Sequence, residues 1–121
     1  MPLAYLLDEN LRGLLWRRIQ RHNARGFYPI DVRRVGDSSD LPLSTSDAEI
    51  LIWTARENRI IVSRDERTLV NHLAEHVSSG HHSPGVFLAR AVPLEALVDF
   101  LVCAAHASEA AEWADQVTFI P

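Results

Sequence analysis

The sequence predicts an α/β protein that folds as a single-domain three-layer α/β/α sandwich with a mainly parallel sheet. Three observations support this fold class. Short apolar runs alternate with segments of helical periodicity along the whole chain. The length of 121 residues is that of one domain. No linker, repeat or low-complexity segment divides the chain, so we interpret residues 1–121 as one domain.

The first half of the chain opens with an apolar run at residues 2–7, which is too short for a helix and suits a central strand. A helix is predicted over residues 10–23, where the apolar positions at helical spacing are Leu11, Leu14, Leu15 and Ile19. The segment "GFYPIDVRRV" then supplies a second strand near residues 30–35.

The second half continues the alternation. Ser46 and Glu49 form a capping box that opens a helix over about residues 47–58. The predicted inner face of this helix consists of Ala48, Leu51, Ile52 and Ala55. The remaining elements are a strand at 59–63, a helix at 66–79, a strand at 85–89, a helix from Pro93 to about Ala107, and a short final strand in "QVTFI".

Charge is unevenly distributed. All 12 basic residues are arginine, which excludes every mechanism that needs a lysine, including that of a response-regulator receiver. Seven of them lie between Arg12 and Arg34, although the net charge is −4. This basic third of the chain is either the solvated face of the first helix or a surface that attracts a polyanion.

The single cysteine, Cys103, lies in the apolar run "FLVCAAHA" and is interpreted as a core thiol. A chain with one cysteine forms no internal disulfide, which suits a reducing cytoplasm. The sequence shows neither a signal peptide nor an apolar stretch long enough to span a membrane, so we expect no membrane association.

Acidic residues fall where a ligand site is expected. In parallel sheets such sites lie beyond the carboxyl ends of the strands. Asp8 follows the first strand, Asp65 follows the third, and Asp47 begins the helix between them in sequence. Each alone is explained by helix capping. Together they predict a site for Mg²⁺ or Mn²⁺, because converging carboxylates repel one another until a hard cation binds.

Helix geometry favours Asp47 over Glu49 as the ligand from this helix. Around the helix axis, Asp47 lies about 80° from the centre of the predicted inner face, and Glu49 lies about 120° from that centre on the other side. Asp47 therefore borders the buried face and Glu49 points towards water. Glu49 stays the alternative ligand.

Several segments of this sequence resemble the small, toxin-like branch of the PIN ribonuclease superfamily. These segments are "LLDENL", then "SDAEIL" and "WTARENRIIVSRD", then "HSPGVF" and the terminal "SEAAEWADQVTFIP", so the resemblance runs from Leu6 to Pro121. The resemblance implies a PIN-like fold, a Mg²⁺- or Mn²⁺-dependent endoribonuclease, and a cognate antitoxin as partner. Carried over by motif, the family's acids are Asp8, Asp47 and Asp65.

The chain departs from the commoner family pattern "TRDxDF", because Arg67 and Thr68 stand at the positions of the second Asp and the Phe. It matches a related "RDxxT" pattern instead. The departure leaves the fourth acid open: Glu9 is the first substitute and Asp37 the second, whereas Glu66 fits a helix N-terminal charge better.

Around these acids, Asn10, Ser63 and Arg64 are candidate supporting and substrate-binding residues, with Arg64 placed to meet a phosphate oxygen. Ordinary loop hydrogen bonding is the alternative for all three. The alternative function is a catalytically inactive PIN-like module that binds an antitoxin or RNA. His72 and His76, one helical turn apart, are a weaker candidate for a zinc site.

The last predicted helix carries more apolar side chains than one helix face needs, which suggests cover by an antitoxin or by a second subunit in a homodimer. These side chains are Leu94, Leu97, Val98, Phe100, Leu101 and Val102.

Overall fold

The computed structural model describes residues 2–120 and confirms the predicted fold class. Met1 and Pro121, the ends of the predicted domain and of its terminal segment, lie outside the described residues. The strands are β1 (Ala4–Leu7), β2 (Asp31–Arg34), β3 (Ile60–Ser63), β4 (Val86–Ala89) and β5 (Val117–Ile120). The helices are α1 (Leu14–Ala24), α2 (Asp47–Glu57), α3 (Glu66–Ser78) and α4 (Leu94–Ala107), with 3-10 turns at Glu9–Leu11 and Ala110–Glu112.

The five strands form one sheet in the order β2-β1-β3-β4-β5, and every neighbouring pair is parallel. The central strands β3 and β4 are buried at every position, as continuous apolar runs predict. One core packs α1 and α4 against one face of the sheet, and a second core packs α2 and α3 against the other. The result is three layers.

Helix α1 begins later than predicted. Asp8 caps the 3-10 turn at Glu9–Leu11, and Gly13, with φ −96° and ψ −91°, separates this turn from the helix that starts at Leu14. Glycine loses the most backbone freedom on entering a helix, so a break there is favourable. Leu14, predicted among the apolar positions of this helix, is its first residue and is 62% exposed.

The predicted inner face of α2 was wrong except for Leu51, since Ala48, Ile52 and Ala55 are exposed. Its buried residues are Ile50, Leu51, Trp53 and Thr54, whereas Ile52 is 56% exposed. Trp53 anchors this orientation, because its indole N–H donates to the Asp40 carboxylate at 3.1 Å. The Ser46 half of the predicted capping box is formed, since the Ser46 hydroxyl accepts from the Glu49 amide.

Two expectations about α4 also need correction. Cys103 is exposed and is not a core thiol. The apolar side chains of the helix are largely covered by the chain itself: Leu97, Val98 and Leu101 are buried, and the other three pack against the same core. In the described part of the chain, no helix is long and apolar enough to cross a membrane.

Candidate metal site at the carboxyl edge of the sheet

Asp8 and Asp65 follow neighbouring parallel strands at the same edge of the sheet. Leu7 of β1 stands opposite Val62 of β3, and the Asp8 amide extends the pairing by donating to the Val62 carbonyl at 3.0 Å. The chain leaves β1 towards β2 on one side and reaches β3 on the other. This is the switch point of the sheet, where open parallel sheets bind their ligands.

Asp8 is a half-buried carboxylate with two hydrogen-bond donors. Its Oδ2 accepts from the Ser63 hydroxyl at 2.7 Å, and its Oδ1 accepts from the Glu9 amide at 2.8 Å. Burial raises the pKa of Asp8, and the negative charges of Asp47 and Glu9 raise it further, while the two hydrogen bonds oppose the shift. Burial is the largest of these influences on the pKa of Asp8, and the charge of Asp47 is a smaller one.

Ser63 connects the ends of β1 and β3. Its hydroxyl is fully buried, donates to Asp8, and accepts from the Asp65 amide at 3.0 Å and from the Asn10 side-chain amide at 3.5 Å. The side-chain carbonyl oxygen of Asn10 in turn accepts from the Arg64 backbone amide at 3.3 Å. Two of the predicted supporting residues thus hold Asp8 and the segment that carries Asp65 in one network.

Asp47 lies at the first position of α2, half-buried, whereas Glu49 is exposed. The Asp47 Oδ2 accepts from the Thr68 hydroxyl at 2.6 Å, and this bond joins the start of α2 to the first turn of α3. Although the predicted helix face was wrong, the preference for Asp47 over Glu49 stands, because Ile50 and Thr54 place the buried face still closer to Asp47.

Capping accounts for two of the three acids. Asp8 caps the 3-10 turn, and Asp65 caps α3 by accepting from the Arg67 amide at 3.2 Å. Asp47 caps nothing, because Ser46 fills that position. Asp47 instead lies in the first turn of α2, where the helix dipole favours a negative charge, and its carboxylate accepts from the Thr68 hydroxyl.

The candidates for a fourth acid are engaged elsewhere. The carboxylate of Glu9 accepts from the Ser44 amide. Asp37 bridges two arginines, with Arg12 at 3.1 Å and Arg34 at 2.7 Å. Glu66 pairs with Arg90 at 2.8 Å, as its predicted role at the helix start allows.

The donors at this edge fit Mg²⁺ or Mn²⁺ in kind, because all are carboxylate oxygens. Within residues 2–120, no three side chains of His, Cys, Asp or Glu are grouped so that they could hold one ion. Mg²⁺ keeps several of its waters and is commonly held by one or two carboxylates. Asp8 and Asp47 are the candidate pair for that role, with Asp65 beyond the Ser63 bridge.

Two further predicted residues have definite positions. Arg64 is exposed, and its Nη2 donates to the Val92 carbonyl at 3.4 Å, a long contact that leaves most of the guanidinium free. His76 is buried and its Nε2 donates to the His82 carbonyl oxygen at 2.9 Å, so this nitrogen is engaged away from His72.

The sequence did not assign a role to Thr68. Its hydroxyl is the one described donor that ties Asp47 to α3. The signal for it is the "RDxxT" spacing itself, which puts the threonine one turn after the Asp65 cap, on the side of α3 that meets α2.

Comparison with protein-family models, with curated proteins and with solved structures found no match to the chain.

Replacing Ser63 by Ala should test the network around Asp8. The variant removes a donor to the carboxylate and leaves the Asp65 amide without its acceptor, so we expect a stability loss of about 1–3 kcal/mol. If Asp8 is a metal ligand, metal affinity should fall about 10- to 100-fold. Urea unfolding and a Mn²⁺ titration measure the two effects. An unchanged metal affinity would contradict a role of Ser63 in holding Asp8.

Proposed function

We propose that this protein is a Mg²⁺- or Mn²⁺-dependent endoribonuclease that acts as the toxin of a toxin–antitoxin pair. The observation that carries the proposal is the Asp8 carboxylate, which is half-buried at the switch point of the sheet, is held by the buried Ser63 hydroxyl, and has its pKa raised by burial and by the charges of Asp47 and Glu9. Like charges at a half-buried site oppose folding, and a divalent cation relieves that opposition. The resemblance to PIN-like ribonucleases supports the choice of RNA.

The chain's own residues have distinct roles in this proposal. Asp8 and Asp47 hold the cation, and Asp65 contributes from the end of β3. A bound divalent cation supplies a water of lowered pKa and offsets charge on the phosphodiester oxygens. Ser63 and Asn10 keep the Asp8 carboxylate oriented through their hydrogen bonds.

Arg64 stands next to Asp65 with an exposed guanidinium, which suits a bidentate contact to a phosphate. That contact would position the scissile phosphodiester at the acidic edge, where a bound cation would supply the activated water. The products are a 5′-phosphate and a 3′-hydroxyl, as the family resemblance implies.

A catalytically inactive binding module is the second candidate. The observation that favours it is the engagement of Glu9 and Asp65 with backbone amides, which leaves the described acids short of a three-carboxylate group. Such a module binds an antitoxin or RNA at this edge without cleaving it.

The partners follow from the proposal. A cognate antitoxin covers the acidic edge, since the apolar face of α4 is already largely packed by the chain itself. A homodimer is a further arrangement. The proposal also places the protein in the cytoplasm, where its RNA substrate lies and where the exposed Cys103 stays reduced.

Cleavage of a labelled single-stranded RNA separates the two candidates. The nuclease should cut with Mn²⁺ or Mg²⁺, leave 5′-phosphate ends, and stop in EDTA. Glu49→Gln is the matched control, because it removes an exposed acid from the same helix turn as Asp47 and should cleave like the parent. Binding of RNA without cleavage in any metal would favour the inactive module.

A further inference from the structure

The outer face of α1 carries arginines that the fold does not use. Arg17, Arg21 and Arg25 repeat every four residues, so they form one stripe with about 6 Å between successive positions along the helix axis. Within residues 2–120, no carboxylate lies within 4.0 Å of any of the three. We call these three residues the α1 arginine stripe.

The other arginines of the same segment are engaged. Arg18 pairs with Glu95 at 3.2 Å, and Arg33 pairs with Glu57 at 4.0 Å. Arg12 and Arg34 both contact Asp37, as described above. The contrast indicates that the α1 arginine stripe has a use outside the folded chain.

Two exposed aromatic side chains follow the stripe directly. Phe27 is 74% exposed and Tyr28 is 66% exposed. Tyr28 has φ +53°, a conformation that is costly for a bulky side chain and persists only where the surroundings impose it. The His22 ring contacts the Tyr28 carbonyl oxygen at 2.9 Å, and the His106 ring meets the Tyr28 ring edge-on at 5.4 Å. The chain thus holds Tyr28 in place, and Phe27 is exposed beside it.

A cavity of about 310 Å³ lies beside the stripe, between α1 and α4. Arg21 and Arg25 line one wall, together with Arg18, and Glu95 and Asp99 line the other. The two acids lower the positive potential of the cavity, and Glu95 also neutralises Arg18. These acids therefore limit the binding of a polyanion here.

We propose that the α1 arginine stripe and the aromatic pair Phe27–Tyr28 form a binding surface for single-stranded RNA. Arginines at this spacing suit successive phosphates of an extended strand, and exposed aromatic rings stack on unpaired bases. The rings favour RNA over an acidic protein segment, which needs the positive charge alone.

This surface is separate from the acidic edge. Helix α1 runs from the carboxyl edge of the sheet, where Asp8 lies, to the amino edge, where Phe27 and Tyr28 precede β2. Its 11 residues span about 16 Å. The inference deepens the proposed function, because the choice of RNA rests on it, and it assigns the strand a path from the α1 surface towards Asp8.

The test is the binding of a fluorescein-labelled oligouridine of about 15 nucleotides, followed by anisotropy in EDTA so that cleavage is suppressed. The salt dependence of log K should weaken by about 1.4 in the double variant Arg21→Ala/Arg25→Ala, since each contact in single strands contributes about 0.7. Phe27→Ala should weaken binding about 5- to 150-fold with little change in the salt dependence, and Phe27→Trp should restore it.

Two controls sharpen the test. Glu95→Gln should bind RNA more tightly than the parent and with a steeper salt dependence. It frees Arg18 from its ion pair, and it removes a negative charge that repels the RNA phosphates. Arg56→Ala should bind like the parent, because Arg56 is an exposed arginine of α2 on the opposite face of the sheet. Circular dichroism of each variant establishes that the fold is kept.

Each outcome is decisive. Unchanged affinity in both the arginine and the Phe27 variants overturns the inference. The inference is also overturned if poly-glutamate competes as strongly as RNA does and Phe27→Ala has no effect on binding. That result would identify a surface for acidic proteins. If the parent fails to cleave RNA but the binding results hold, the proposed function alone is wrong.

Discussion

Replacing Asp8 by Asn is expected to lower RNA cleavage by more than about a hundredfold while the fold is kept. A metal ligand supplies several kcal/mol of transition-state stabilisation, and each 1.36 kcal/mol corresponds to a tenfold change in rate. Asparagine keeps the shape of the side chain and caps helices about as well as aspartate. It loses the charge that attracts Mg²⁺, so the variant should also lose stabilisation by Mn²⁺, which in the parent reaches about 2.7 kcal/mol at a hundredfold excess over Kd.

The raised pKa of Asp8 gives this variant a pH signature. In the folded protein Asp8 binds its proton more tightly than in the unfolded chain. Ionised Asp8 therefore destabilises the fold, and this penalty grows as the pH rises from the unfolded pKa through the higher folded pKa. Asp8→Asn removes the penalty but also one accepted hydrogen bond, worth about 1 kcal/mol. We therefore expect the difference in unfolding free energy between variant and parent to favour the variant more at pH 7 than at pH 3, when both are measured in EDTA.

The opposite outcome has a clear meaning. If Asp8→Asn cleaves RNA like the parent and gains the same stability from Mn²⁺, then Asp8 serves only as a cap of the 3-10 turn. Asp65→Asn should be measured beside it, because Asp65 caps α3 in the same way. Parent-like cleavage by both variants would contradict the assignment of a nuclease site to these residues.

Replacing Gly85 by Ala should destabilise the fold by about 2 to 6 kcal/mol. Gly85 has φ +122°, which L side chains rarely adopt, and a Cβ there would lie 2.4 Å from the Trp113 carbonyl oxygen. The backbone strain contributes about 1–3 kcal/mol and the forced shift of packed groups about as much again. The Trp113 ring packs edge-on against Phe87, so the displaced segment also disturbs the core. Urea unfolding measures the loss.

Gly80→Ala is the matched control for this prediction. Gly80 also has a positive φ, +89°, but no atom lies within 4 Å of the position its Cβ would take. It should therefore cost only the conformational part, about 1–2 kcal/mol. Equal losses in the two variants would show that the close approach of Trp113 to Gly85 does not limit stability.

The sheet was readily predicted from the sequence because its strands are continuous apolar runs. The run predicted at 59–63 is β3 at Ile60–Ser63, and its alternation with helices leads to the parallel sheet. The face of α2 was not predictable in the same way. In "EILIWTA" four apolar residues follow one another, so periodicity allows more than one buried face. The bond from Trp53 to Asp40 and the buried Thr54 select one of them.

The candidate site was predictable only in part. The strand ends place Asp8 and Asp65 at one edge, and helix geometry favours Asp47 over Glu49 as the acid of α2 that borders its buried face. What the sequence does not contain is the local bonding: Asp65 turned onto the Arg67 amide, and Thr68 holding Asp47. Cys103 shows the same limit, because an apolar run of α4 does not reveal which of its positions faces outward.

The central claim is that the carboxyl edge of the sheet binds a divalent cation through Asp8 and Asp47. Crystals soaked in Mn²⁺ and measured for anomalous scattering test it most directly. We expect a peak about 2.1 Å from carboxylate oxygens of both residues, with waters completing the coordination. Absence of a peak at this edge in crystals with Asp8 and Asp47 accessible to solvent, or a peak only elsewhere on the protein, would show that these residues do not bind the cation.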